Sequence, residues 1–135
     1  MSSQKSAADF EMKLEVVMMP VTDIDRAIAF YRDQVGFHLD HDVQPSETVR
    51  VVQLTPPGSG CSIVMGTGLG EISEMVPGSI RGLHLVVKDI AVAHNALIEN
   101  GVAIGDIVDM GGVLYAGFSD PDGNTWTFQQ MLNRG

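Results

Sequence analysis

Three side chains in this sequence could act chemically on a small molecule. Histidine titrates near neutral pH, so His84 could take a proton from a ligand or polarise an oxygen atom. Tyr115 follows a flexible Gly-Gly pair and could stack on an aromatic ring or donate a hydrogen bond. Arg50 could pair with an anionic oxygen. Each residue also has a structural interpretation, as a hydrogen-bonded core histidine, a half-buried strand tyrosine and a solvated strand arginine.

A further polar group follows the first predicted helix and consists of His38, Asp40 and His41. Strand alternation would place His38 and Asp40 on one face and His41 on the other. We therefore interpret these three mainly as surface residues. No base that could activate Cys61 is identifiable, so this cysteine is not expected to be a nucleophile.

The composition predicts a globular protein that binds neither nucleic acid nor membranes. The chain has 135 residues, 44% of them hydrophobic, which suits one domain or two half-domains with a shared core. Its net charge of −9 would repel nucleic acid and anionic membrane surfaces. We expect neither a secretory signal nor a membrane span, since no suitable apolar run occurs. A single cysteine excludes an internal disulfide and favours a cytoplasmic location.

An internal repeat predicts the elements that must position these side chains. The segment from Val16 to Ile24 matches the segment from Gly82 to Ile90 at an offset of 66 residues. Each reads as an apolar strand followed by an Asp that can cap a helix. The helices would end at Gly36 and Gly101, which are only 65 residues apart, so the first helix carries one extra residue.

The offset of 65 then persists through the turn at Thr55-Pro56-Pro57-Gly58 and the turn at Asp120-Pro121-Asp122-Gly123. Strand-like runs lie on both sides of each turn, so each half reads as strand, helix and about three strands. The predicted divisions are a flexible tail (1–12), a first module (13–66), a linker (67–80) and a second module (81–132).

These motifs resemble the vicinal-oxygen-chelate superfamily, which includes glyoxalases, bleomycin-resistance proteins and extradiol dioxygenases. The resemblance rests on Pro20 to Tyr31, on Val35-Gly36-Phe37 and on Asp120 to Asn124. It implies an α+β fold in which two βαβββ modules form a curved eight-stranded mixed sheet around a cavity. It also implies a homodimer, the common assembly in this superfamily.

The resemblance further implies four inward strand positions where superfamily members carry metal ligands. Here those positions are Val16, Ser62, Gly82 and Thr127, none of which is a usual ligand for Fe, Mn, Zn or Ni. The nearest imidazole, His84, lies two residues past Gly82. We therefore expect no family-type metal and no bound cofactor.

If those four positions face the cavity, strand alternation places their neighbours two residues away on the same face. Trp126 and Phe128 would then pack against a helix. We predict His84 and Tyr115 as catalytic residues. The predicted substrate-binding residues are Met18, Arg50, Ser62, Val64, Thr127 and Gln129.

Three functions stay open after these observations. We favour an enzyme of this superfamily, an oxidoreductase that cleaves or rearranges an aromatic phenol- or carbonyl-bearing substrate such as a polyketide-type natural product. It would work without the family metal and use molecular oxygen or a diffusible reduced flavin. The alternatives are a bleomycin-resistance-like protein that sequesters an aromatic ligand, and a glyoxalase-like metal lyase with unrecognised ligands.

Overall fold

A computed structural model describes residues 9–132 of the chain. The first module contains four strands and one long helix that changes type midway. Its elements are β1 (Val16–Met18), α1 (Ile24–Ile28), a π-helix (Ala29–Val35), β2 (His38–Val43), β3 (Arg50–Thr55) and β4 (Ser62–Thr67). The remaining elements are α2 (Glu71–Glu74), β5 (Leu83–Val86), α3 (Ile90–Glu99), β6 (Val108–Asp109), β7 (Val113–Ser119) and β8 (Thr125–Met131).

The strands form two four-stranded mixed sheets with the same topology. Their orders are β1-β4-β3-β2 and β5-β8-β7-β6. In each sheet the first and last strands of the module pair in parallel, and the other pairs are antiparallel. This confirms the α+β fold with two βαβββ modules. Hydrogen bonds join strands only within each sheet, so in residues 9–132 the eight strands form two sheets and not one continuous sheet.

The two predicted helices begin and end where the sequence indicates. Asp23 accepts a hydrogen bond from the backbone N–H of Arg26, and Asp89 accepts from two backbone N–H groups in the first turn of α3. Gly36 ends the first helix with a left-handed φ of 98°. A π-helix has wider turns than an α-helix, and its presence before Gly36 accommodates the extra residue that separated the two repeat offsets.

The two modules share an aromatic core. The Tyr31 ring from the π-helix lies 5.7 Å from the ring of Trp126 on β8, measured between centroids. Phe30 contacts Phe118 across the same boundary. Trp126 and Phe128 are buried on the helix-facing side of the second sheet, as predicted. The sheet face on the other side of these strands therefore points away from the core.

A buried polar network lies within this core. The Tyr31 hydroxyl donates to Asp120 at 2.7 Å and accepts a hydrogen bond from Trp126 Nε1 at 2.9 Å. Asp120 also accepts from the side-chain amide of Asn124. Burial and the neighbouring Asp120 carboxylate raise the pKa of Tyr31 well above its ordinary value. Tyr31 therefore stays protonated and donates across the boundary between the modules.

The predicted linker contains structure of its own. Strand β4 continues to Thr67, and Ile72 of the short helix α2 is buried. Of the predicted tail, residues 1–8 lie outside the described residues. Within the described part of the chain, no helix is long and apolar enough to cross a membrane.

Candidate functional site

The second sheet has an outer face, which we define by His84 on β5, Thr127 and Gln129 on β8, and Tyr115 and Gly117 on β7. The strand register places His84 beside Thr127 and places Thr127 beside Gly117. Tyr115 pairs with Gln129 one row further along the strands. The four predicted site residues on this sheet therefore share one surface.

His84 is held in a defined position on this face. Its Nδ1 atom lies 2.6 Å from the backbone carbonyl oxygen of Gly82. Its ring meets the Tyr115 ring edge to face, with 6.0 Å between the ring centroids. Gly82 has a left-handed φ of 71°, and its N–H donates to the Thr125 hydroxyl at 2.7 Å. The backbone and the tyrosine thus fix the orientation of the imidazole.

The polar groups of this face lack protein partners. His84 Nε2 and the hydroxyls of Tyr115 and Thr127 make no hydrogen bond within residues 9–132. The Gln129 amide makes one contact, with the Met131 sulfur at 3.6 Å. Hydrogen-bonding groups without a protein partner on a half-buried surface are available to water or to a ligand.

Exposed apolar side chains surround these polar groups. Val86 on β5 is 59% exposed, Val108 on β6 is 49% exposed and Met131 on β8 is 39% exposed. Strand alternation and register place all three on the outer face. The combination of apolar surface with a few directed polar groups is typical of small-molecule sites.

An open hollow of about 550 Å³ adjoins this face at the ends of β7 and β8. Gly117, Thr125 and Thr127 form its border with the outer face, whereas Phe30, Gln34, Phe118 and Trp126 line it from the helix-facing side. His84, Tyr115 and Gln129 do not line it. Gly117 contributes no side chain, which leaves space beside Thr127. This volume lies in the range of sites that hold drug-sized molecules.

The outer face of the first sheet differs from that of the second, because its central polar side chains form hydrogen bonds with one another. Asp40 lies at a β-bulge in β2 and accepts hydrogen bonds from the Thr55 hydroxyl and, at 3.0 Å, from Gln53 Nε2. The Thr55 proton is committed to the carboxylate, so the Ser62 hydroxyl donates to Thr55 at 2.6 Å. His38 Nδ1 donates to Asp40 at 2.8 Å.

Asp40 is the centre of this network. The hydrogen bond from Thr55 and that from His38 lower the pKa of Asp40 to about 2. Asp40 reads from the sequence as a surface residue, and no motif in the sequence indicates Gln53 and Thr55 as its partners. The alternation of Gln53 and Thr55 with the buried Val52 and Leu54 indicates that both polar side chains face away from the core. The bulge that turns Asp40 toward Gln53 and Thr55 depends on strand pairing, which the sequence does not show.

Three other predicted site residues also lie on the first sheet. Ser62 and Val64 are almost fully buried, whereas Met18 is 36% exposed. Ser62 reaches His84 only through a small cavity of about 170 Å³ between the edges of the two sheets. Leu14, Val17 and Cys61 also line this cavity. The predicted set is therefore divided between two surfaces that meet at this cavity.

Arg50 lies away from both outer faces. Its guanidinium binds Asp42 and Asp25, each at 2.8 Å, on the helix-facing side of the first sheet. The hydrogen bonds to Asp42 and then to Asp25 raise the pKa of Arg50. Arg50 therefore ties α1 to the first sheet and lies apart from the other predicted substrate-binding residues.

The residues at the four family metal positions do not fit a divalent metal ion. Val16 and Gly82 offer no ligand atom, and the Ser62 hydroxyl is already bound to Thr55. Thr127 alone supplies one neutral oxygen, whereas such metals prefer imidazole, carboxylate or thiolate. Residues 9–132 contain no group of three or more His, Cys, Asp or Glu arranged to hold a metal ion.

Comparison with known proteins identifies the class to which this fold and site belong. The sequence pattern of the Glyoxalase/Bleomycin resistance protein/Dioxygenase superfamily matches residues 13–128. The chain therefore belongs to this superfamily, as the sequence resemblance indicated. No protein with a curated functional description matches the chain.

Several solved structures are similar over nearly the whole chain. TnmS3, an antibiotic binding protein from Streptomyces sp. CB03234, is 35% identical, with a TM-score of 0.78 over 90% of this chain and 97% of TnmS3. A glyoxalase/bleomycin resistance protein from the same strain is 36% identical, with a TM-score of 0.74 over 87% of this chain and 100% of the other. A superfamily member from Sphaerobacter thermophilus DSM 20745 is 29% identical, with a TM-score of 0.76 over 89% and 98% of the two chains.

Proposed function

We propose that this protein binds and sequesters a planar, aromatic small molecule on the outer face of its second sheet. The observation that carries this proposal is the set of polar groups without protein partners on that face, at His84, Tyr115 and Thr127. On the first sheet the central polar side chains, including Asp40, hydrogen-bond one another, and His41 beside Gln53 is the exposed imidazole of that face. A ligand with apolar rings and a few oxygen atoms would satisfy both the polar groups and the apolar surface around them.

The similar proteins support an antibiotic-like ligand. TnmS3 is an antibiotic binding protein, and its similarity extends over nine-tenths of this chain. The residue types at the family metal positions also favour binding over metal-dependent lyase chemistry, since they supply too few ligand atoms. We therefore prefer the binding function to the oxidoreductase that the sequence analysis favoured.

We also propose that the protein is a cytoplasmic homodimer in which a second copy covers the exposed part of the ligand surface. Val86, Val108 and Met131 leave an apolar area on a sheet face that no other element of this chain covers within residues 9–132. Covering this area would remove apolar surface from water, and each Å² buried would stabilise the dimer by roughly 25 cal/mol. The single free Cys61 is consistent with a reducing compartment.

A matched pair of valine variants tests the ligand surface. Val86 on the outer face and Val92 on α3 are both well exposed, at 59% and 66%. We expect Val86→Asp to weaken the affinity for 6-hydroxyflavone, a planar phenol with a carbonyl group, at least tenfold in isothermal titration calorimetry, because a carboxylate would need to be desolvated. Val92→Asp should bind as the wild type does.

Equal affinity in the two variants would contradict the proposed location of the site. Absence of binding to the wild-type protein, across a panel of planar aromatic ligands, would contradict the proposed function itself. Circular dichroism of each variant controls for folding.

The oxidative enzyme is retained as a second candidate because His84 has an unpartnered ring nitrogen on the ligand surface. Such a nitrogen could accept the proton of a bound phenol and leave an electron-rich phenolate for oxidation by molecular oxygen, either directly or after a diffusible reduced flavin has donated its electrons to the oxygen. Mass spectrometry of the phenol after incubation with the protein, in air and with reduced flavin, tests this candidate. Product formation that is lost in His84→Asn, while binding persists, would favour the enzyme.

A further inference from the structure

On the assumption that the proposed ligand surface is correct, we infer that His84 selects the ligand by accepting a hydrogen bond from a hydroxyl group through Nε2. The protein would therefore bind phenols in preference to their methyl ethers. This inference assigns a chemical class to the ligand and a specific role to one atom. It rests on the hydrogen bond of His84, on the conformation of Gly82 and on the open side of the imidazole ring.

The hydrogen bond to Gly82 determines which nitrogen of His84 carries the proton. A backbone carbonyl oxygen can only accept a hydrogen bond, so Nδ1, at 2.6 Å from it, must be the donor. A neutral imidazole has one N–H, and Nε2 is then an acceptor without a proton. The unliganded face thus presents an acceptor at this point.

The local backbone makes this arrangement rigid. Gly82, whose carbonyl accepts the bond from the imidazole, has a left-handed φ of 71°, a conformation that glycine adopts without steric cost. The bond from Gly82 N–H to Thr125 anchors the same peptide segment at 2.7 Å. The Tyr115 ring, packed perpendicular to the imidazole, limits its rotation. The acceptor is therefore in place before a ligand arrives, which reduces the entropy lost on binding.

The neighbouring groups indicate what else the ligand should carry. The Tyr115 and Thr127 hydroxyls can donate, and neither has a partner within residues 9–132. Thr127 is the direct strand neighbour of His84. A carbonyl oxygen on the ligand could accept from either hydroxyl while the ligand hydroxyl donates to His84. The face therefore suits a hydroxylated aromatic carbonyl compound.

A site built to accept a hydrogen bond discriminates strongly against analogues that lack the donor. A methyl ether has no proton to donate, so its binding would desolvate His84 Nε2 without replacing the lost hydrogen bond to water. Such a loss is worth about 1–2 kcal/mol, or roughly tenfold in affinity.

The test compares 6-hydroxyflavone with 6-methoxyflavone at neutral pH, where a phenol keeps its proton. We expect wild-type protein to bind the phenol about tenfold more tightly than the ether in calorimetry. Equal affinities, or tighter binding of the ether, would overturn the role of His84 and leave the proposed binding function intact. Absence of binding to both compounds and to the rest of the panel of planar aromatic ligands would contradict the binding function and this inference together.

Two substitutions of His84 separate the acceptor from the space that the side chain fills. A glutamine places an amide oxygen as many bonds from the backbone as Nε2, so His84→Gln should keep most of the preference. An asparagine can still donate to the Gly82 carbonyl but is too short to reach the ligand, so His84→Asn should bind phenol and ether equally. An unchanged preference in His84→Asn would overturn the inference.

The tautomer can be measured without any ligand. In protein labelled with ¹⁵N, the NMR chemical shifts of the two ring nitrogens of neutral His84 should show that the proton is on Nδ1. A proton on Nε2 would overturn the inference whether or not a flavone binds, because the acceptor would then face the Gly82 carbonyl. This measurement separates an error in the role of His84 from an error in the proposed function.

Discussion

The hydroxyl of Tyr31 makes two of the buried hydrogen bonds that join the modules. It donates to the buried Asp120 of the second module and accepts a hydrogen bond from Trp126. Loss of this hydroxyl would leave a buried carboxylate with one donor fewer and an indole N–H without an acceptor. Unsatisfied buried groups of this kind cost about 1–3 kcal/mol each.

We therefore expect Tyr31→Phe to lower the free energy of unfolding in urea by at least about 2 kcal/mol. Tyr115→Phe provides a matched control, because the Tyr115 hydroxyl has no partner within residues 9–132 and its removal should change stability by less than about 0.5 kcal/mol. Equal effects of the two substitutions would contradict the importance of the buried network.

The hydrogen bonds of Asp40 make part of the stability depend on pH. Its pKa is lowered to about 2 in the folded protein, by Thr55 first and then His38, and lies near 3.9 in an unfolded chain. A lowered folded-state pKa means that the stabilisation is complete above about pH 4 and is lost as the pH falls toward 2.

Asp40→Asn should thus be less stable than wild type at pH 7, by roughly 1 kcal/mol for a side chain that is 25% exposed. This difference should shrink between pH 4 and pH 2, as measured by urea unfolding across that range. A difference that stays constant with pH would show that the ionised carboxylate is not the stabilising form.

The sequence predicted some residue positions better than others, and the reason is distance along the chain. Strand alternation placed Trp126 and Phe128 on the helix-facing side, because that pattern depends only on immediate neighbours. Arg50 was interpreted differently because its partner Asp25 is 25 residues away on a helix. A pattern of single residues gives no sign of such a pairing.

At the scale of elements, the repeat predicted both helices, their caps and the turns between strands. It indicated one extra residue in the first helix without showing where that residue would be accommodated. The structure places it in a π-helix that ends at Gly36. Local widening of this kind depends on how Phe30 and Tyr31 pack against the second module, and the helical pattern alone does not contain that information.

The predicted linker makes a close contact with the turn from Asp120 to Gly123. A Cβ atom at Gly78 would lie 2.2 Å from the backbone oxygen of Asp122, and Gly78 has a φ of 82°. Gly58, in the corresponding turn of the first module, has a φ of 78°, but no atom lies within 4 Å of its Cβ position.

Gly78→Ala and Gly58→Ala should each lower the free energy of unfolding by about 1–2 kcal/mol, because alanine adopts the left-handed conformation unfavourably. Only Gly78→Ala adds a clash with backbone, so we expect it to be less stable than Gly58→Ala by at least about 1 kcal/mol in thermal or urea unfolding. Similar losses in the two variants would indicate that the linker does not pack closely against the turn.

At the scale of the whole molecule, the sequence predicted two equivalent modules and their order, but it could not show that each forms a separate sheet. The short strands β1 and β5 lie at the edges of their sheets, and pairing between such edges depends on the arrangement of the modules. The outer face of the second sheet retains exposed Val86, Val108 and Met131, which is the surface that a second copy would cover.

The Val86→Asp and Val92→Asp variants also test this assembly. Light scattering after size exclusion should give the mass of a dimer for the wild type and for Val92→Asp, and a smaller mass for Val86→Asp, since a carboxylate would need to be buried in the interface. A monomeric wild type would contradict the proposed homodimer without affecting the contacts assigned to His84.

The bond between Tyr31 and Asp120 has a consequence for the repeat. A half-length chain with only the first module would have the phenol without the carboxylate that accepts its hydrogen bond. In the first module Thr55 stands at the position equivalent to Asp120, so a second copy of this module would bring a hydroxyl and not a carboxylate. The two halves are therefore no longer interchangeable, because one supplies the phenol and the other supplies the acid.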